Sequence, residues 1–174
     1  SQHNGKSNAV YVFGGRSSTA SGISDLHSTA FCYDPTQKNW KKVKDIGDGK
    51  NVTTLSAGTG VANGASYIIL IGGDKGNVFN QIETYNARIS KTQTETEKQT
   101  LQAEKVTLLT THKGFSKDVY LYNTVTDAWA KIGELPGFSQ VTTTAVKWDN
   151  EIFIPSGEIK PGTRTPVITK GTVQ

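Results

Sequence analysis

A chain of 174 residues with 34% hydrophobic residues, 18 glycines and no methionine has the length of one domain and the composition of an all-β protein rich in tight turns. Its net charge of +4 suits an acidic small ligand, but the 19 Lys and Arg are too dispersed for a nucleic-acid partner, and no run approaches the ~18 apolar residues of a membrane helix. One cysteine excludes an internal disulfide, and His3, His27 and His112 lack metal-ligand spacing, so neither metal nor cofactor is expected.

The chain opens on Ser1-Gln-His-Asn-Gly5 with neither initiator Met nor signal peptide, so it reads as a processed or truncated piece. Asn8-Ala-Val-Tyr-Val-Phe13 is a β-branched and aromatic run closed by Gly14-Gly15, which predicts a strand entering a tight bend. After a polar loop from Arg16, Ser28-Thr-Ala-Phe-Cys-Tyr33 predicts another strand, with Cys32 as a small core residue. Asp34-Pro35 makes a turn, because Pro pre-sets φ and Asp can bond the backbone beyond it; a short strand around Trp40 follows. The lysines at 41, 42 and 44 suit a solvated sheet edge.

The order then recurs. Leu55-Ser-Ala-Gly-Thr-Gly-Val61, a turn at Asn63-Gly64 and Ser66-Tyr-Ile-Ile-Leu-Ile71 lead into Gly72-Gly73, and Asp118-Val-Tyr-Leu-Tyr122 precedes Trp129. Tyr33 to Trp40 and Tyr122 to Trp129 have the same spacing. A third copy starts with Val141-Thr-Thr-Thr-Ala-Val-Lys147, turns at Asp149-Asn150 and runs through Ile152-Phe-Ile154 into Ser156-Gly157. The unit is four antiparallel strands in roughly 50 residues and resembles the kelch repeat of β-propellers. Its glycines allow close backbone approach, and its Tyr and Trp pack between blades, so Tyr33, Trp40, Tyr122 and Trp129 are expected in the core.

The expectation is therefore an all-β, kelch-type β-propeller over residues 1–174, with the first repeat starting mid-blade. Residues 78–112 break the period. Ile82, Tyr85 and Ile89 fall at helical spacing, which predicts an inserted helical segment within the second blade, either a lid over a ligand or surface decoration. Propellers close with typically ~4–8 blades, and this chain supplies about two and a half. The remaining blades are expected from a missing upstream segment or a second chain, since an uncovered blade face is an aggregation hazard.

The most charged turn is Ser156-Gly-Glu-Ile-Lys-Pro-Gly-Thr-Arg-Thr165. Together with the repeats it resembles the N-acetylneuraminate epimerase (sialic acid mutarotase) family, six-bladed kelch-type propellers with a Gly-Glu-x-Lys-Pro-Gly-x-Arg-Thr core. Gly157, Glu158, Lys160, Pro161, Gly162, Arg164 and Thr165 fill every fixed position of that core. The near-C-terminal motif resembles the cyclically permuted branch, which would place the missing blades upstream of Ser1. The resemblance implies a periplasmic or otherwise exported bacterial protein that acts on sialic acid, a sugar acid, with no nucleic-acid or membrane partner.

Mutarotation requires one proton to leave the anomeric hydroxyl and one to reach the ring oxygen, so Glu158 is the expected general acid/base. The planar fork of Arg164 suits the substrate carboxylate. Weaker substrate-binding candidates are Lys160, Arg16 (which follows the first Gly-Gly) and Gln140, in a Phe138-Ser139-Gln140 stretch before an inner strand. A structural alternative is that Glu158 and Arg164 form an ion pair that pins the turn. The competing functions are a non-catalytic kelch scaffold binding a protein or glycan, and a galactose-oxidase-like copper enzyme, which the scattered histidines argue against.

Overall fold

The computed structural model describes residues 1–173. In chain order, β1 (Gln2–His3), β2 (Asn8–Phe13), a short β3–β4 ladder (Arg16–Ser17 with Asp25–Leu26), β5 (Ala30–Asp34) and β6 (Asn39–Val43) come first. They are followed by β7 (Thr59–Asn63) and β8 (Tyr67–Ile71), then by helices α1 (Asn77–Lys91) and α2 (Glu95–Thr110). The chain continues with β9 (Asp118–Asn123), β10 (Ala128–Glu134), β11 (Val146–Trp148), β12 (Glu151–Lys160) and β13 (Thr163–Thr172).

Three antiparallel sheets act as blades: β1-β2-β5-β6, then β7-β8-β9-β10, then β11-β12-β13. The first repeat does not start mid-blade: the two residues of β1 complete its sheet by pairing with β2. The third copy's first strand is shorter than expected, because Thr142 takes a left-handed φ of 53° and regular pairing begins only at Val146.

Strand alternation decides what packs where. Ala9, Ala30 and Cys32 point one way from blade 1 and meet Ile68, Leu70, Tyr120, Tyr122 and Trp129 of blade 2. Phe13 contacts the Tyr122 and Trp129 rings edge-on, at centroid distances of 5.5 and 5.3 Å. Trp129 Nε1 donates to Lys44 O at 2.9 Å, so the buried indole keeps a hydrogen bond. The opposite face of blade 2 presents Val61, Ile69 and Ile71 to Ala145, Ile152 and Ile154 of blade 3.

Trp40 departs from the expected core role. Its ring lies tilted against Tyr33 at a centroid distance of 5.1 Å, yet it is 55% exposed. The pair matches Tyr122–Trp129 in its repeat, but it sits on the face of blade 1 turned away from blade 2, where Val10, Val12 and Phe31 are also exposed. Blade 3 likewise leaves Val146, Trp148 and Ile168 uncovered.

The segment expected to be helical at 78–112 holds the α1–α2 hairpin between β8 and β9. Residues 106–110 form the last part of α2. Beneath the hairpin, the buried Asp118 carboxylate accepts bonds from Lys75 and Lys131 at 2.5 and 2.6 Å and from Tyr120 at 2.9 Å. Burial alone would raise its pKa, but these donors outweigh burial and hold it well below the ordinary carboxylate range. That network ties the chain just after the second diglycine to β9 and β10. Among the described residues no helix is long and apolar enough to cross a membrane.

Candidate active site

The charged turn is the tip of the β12–β13 hairpin. Pro161 and Gly162 (φ 74°) occupy the two central positions, the arrangement a type II turn requires. Glu158 and Arg164 are direct cross-strand partners, which puts both side chains on one face of the hairpin. A register shift between Pro155 and Gly157, with Ser156 at φ 54°, bends β12 just before Glu158. Glu158 Oε1 accepts a hydrogen bond from the Gly162 N–H, and Arg164 Nη1 donates to Thr142 Oγ1 at 3.3 Å. Among the described residues no ion pair within 4.0 Å joins Glu158 to Arg164, so the pinning ion pair is not formed.

The backbone explains why this tip meets residues from the other blades. Gly15 N–H donates to Leu55 O at 2.8 Å, Ser56 and Asp74 exchange bonds of 2.9 and 2.8 Å, and Thr142 N–H donates to Ala57 O at 3.1 Å. Val141 and Glu158 exchange a further pair of 2.9 and 3.0 Å. Each blade thus contributes the residue just after its diglycine equivalent: Arg16, Asp74 and Glu158. All three line one cavity of about 510 Å³, whose floor includes Ala57 and Thr142, both held at φ 53°. Non-glycine residues in this conformation are strained and cluster at functional sites.

Asp74 was missed by sequence reasoning, although the rule that singled out Arg16 also applies to the residue after Gly72-Gly73. Its Oδ1 accepts the Gly76 N–H at 2.7 Å.

The model of the N-acetylneuraminate epimerase family matches residues 2–174. The chain belongs to that family. An N-acetylneuraminate epimerase from Salmonella typhi is 29% identical over 91% of the chain, and one from Haemophilus influenzae is 24% identical over 93%. The chain spans about 40% of the length of these curated relatives. The solved structure of YjhT superposes with a TM-score of 0.74 at 19% identity, covering 94% of this chain and 46% of that one. The likeness shows the fold, part of a kelch-type propeller.

The other expected binding residues of this epimerase-family chain are distributed unevenly around the cavity. Arg16 lines it, but its guanidinium also stacks over Phe79 at 4.3 Å and lies 3.7 Å from Glu83 Oε1. Lys160 and Arg164 are not among the cavity's lining residues, although Arg164 donates to Thr142, which is. Burial pushes His112 below the usual imidazole value; the Asp74 charge opposes that shift and the Lys160 charge adds to it. Gln140 is not at a channel mouth: it is 2% exposed, and its Nε2 donates to Ser156 O at 2.5 Å and Val167 O at 2.8 Å. Thr169 donates to its Oε1, so this amide holds the β12–β13 hairpin in place.

Proposed function

We propose that the protein interconverts the α and β anomers of N-acetylneuraminate, with Glu158 handling the protons and Arg164 holding the substrate carboxylate. The observation that carries this reading is the hairpin tip. Glu158 faces a cavity, and its cross-strand partner Arg164 is left unpaired with it. A turn built only for stability would join the two charges.

In the forward direction the Glu158 carboxylate accepts the proton of the anomeric hydroxyl as the ring C–O bond breaks, and the resulting carboxyl passes that proton to the ring oxygen. The result is the open-chain keto acid. Rotation about the bond beside the ketone exposes its other face, and reclosure runs the same transfer in reverse through Glu158, so no net proton is consumed. Arg164 offers parallel N–H donors that hold the adjacent carboxylate through both ring states. Asp74 and Arg16 add one charge of each sign to the same cavity. No redox step is required.

The test is NMR of freshly released α-N-acetylneuraminate. The protein should accelerate decay of the α signal above the spontaneous rate, and the absence of acceleration refutes the reading. The exposed apolar faces of blades 1 and 3 support a ring completed by further blades, in the same polypeptide or a second chain. A monodisperse 18.8 kDa particle with a cooperative melt would contradict that part.

A further inference from the structure

The cavity above Glu158 is walled on one side by the inserted helices. Phe79 and Ile82 come from α1, and Lys105 and Leu109 from α2. A decorative hairpin would turn its apolar stripe onto the sheet or onto its partner helix. Here Phe79, Ile82 and Leu109 are only half-buried and border the opening together with Phe115.

The hairpin is also clamped in this pose. Ser24 donates to both carboxylate oxygens of Glu83, from its N–H at 2.7 Å and its hydroxyl at 2.8 Å. Arg16 stacks on Phe79, and Lys105 Nζ donates to Asn86 Oδ1 at 2.7 Å, joining the two helices. The cavity therefore carries charge along its propeller floor, where Arg16, Asp74 and Glu158 lie, and an apolar patch of Phe79, Ile82 and Leu109 beside Lys105 along its helical wall.

We propose that this wall selects N-acylated sugar acids: Phe79, Ile82 and Leu109 receive the methyl of the acyl group while the anomeric end lies against Glu158. The proposal rests on the mutarotase reading for the identity of the substrate, and only the second of its two tests, a binding contact, is independent of turnover. N-Acetylneuraminate carries one apolar group, the acetyl methyl, at the far side of the ring from its carboxylate. That polarity matches a cavity with charges at the floor and hydrocarbon at the wall. A pocket contact of this size discriminates by roughly 10-fold or more, because a buried methyl has nowhere equally dry to go in water.

The test compares kcat/KM for N-acetylneuraminate with that for the analogue bearing a hydroxyl in place of the acetamido group. In Ile82→Ala and in Leu109→Ala the preference for the acylated substrate should fall roughly tenfold. A ratio is insensitive to the folded fraction, so partial unfolding does not imitate the effect. An unchanged ratio overturns the proposal. Binding is read separately by transferred NOE from 13C-labelled Ile82 and Leu109 methyls to the acetyl methyl of N-acetylneuraminate. That contact without anomer exchange supports the wall and refutes only the mutarotase reading; its absence overturns the wall.

Discussion

Glu158→Gln is expected to slow anomer exchange by ~10²–10⁴-fold, the usual contribution of one general acid/base, equivalent to ~3–5 kcal/mol of barrier. The amide is isosteric, and its oxygen can still accept the Gly162 N–H that the carboxylate accepts now. The hairpin and its melting midpoint should therefore be preserved, and KM should change little, because only proton transfer is removed. One- and two-dimensional exchange NMR on both anomers measures the rate directly. Retention of more than about a tenth of the rate would be incompatible with the expected general acid/base contribution. Asp74 provides the informative comparison, since it is the other carboxylate on the cavity. If Asp74→Asn abolished exchange and Glu158→Gln did not, the proton-handling group would have been assigned to the wrong blade.

Gly14→Ala is the substitution expected to damage the fold most. Gly14 lies at φ 58°, and a Cβ there would stand 2.0 Å from the carbonyl oxygen of Leu55. That oxygen is fixed, because it accepts the 2.8 Å bond from Gly15 that helps lace blade 1 to the cavity floor. Left-handed strain and overpacking together are expected to cost ~3 kcal/mol, read from the midpoint of a denaturant titration at constant slope. Gly64 separates the two contributions, since it has a similar φ of 55° with nothing within 4 Å of an added Cβ. Gly64→Ala should therefore cost only about 1 kcal/mol, the conformational part alone. Equal losses in the two variants would show that the close approach at Leu55 contributes nothing.

The repeat was legible because its signals are local. Diglycines mark bends where backbone crowds backbone, and period-two alternation marks strands whose two faces are both used. Tyr122 and Trp129 met those expectations, whereas Trp40 did not, although the two aromatic pairs have the same spacing. Alternation assigns a residue to a face and says nothing about what covers that face. In blade 2 the face meets Phe13, and in blade 1 it is open. Gln140 is buried for a related reason. Its position before an inner strand is a matter of order along the chain, but its burial comes from carbonyls of β12 and β13 that approach it only after the hairpin folds.

By itself, the sequence determined the kelch architecture, the family and the charged turn that holds Glu158 and Arg164. All three depend on residues within one strand, one turn or one hairpin, where spacing dictates geometry. Only the tertiary structure decided that Arg16, Asp74 and Glu158 share a cavity. Their convergence is made by backbone bonds between blades, from Gly15 to Leu55 and from Thr142 to Ala57, which no local pattern encodes. It also decided that Phe79, Ile82 and Leu109 of the inserted helices line that cavity. Helical spacing singles out Ile82 together with Tyr85 and Ile89, which do not line it; the Glu83–Ser24 clamp to blade 1 holds the hairpin in this pose.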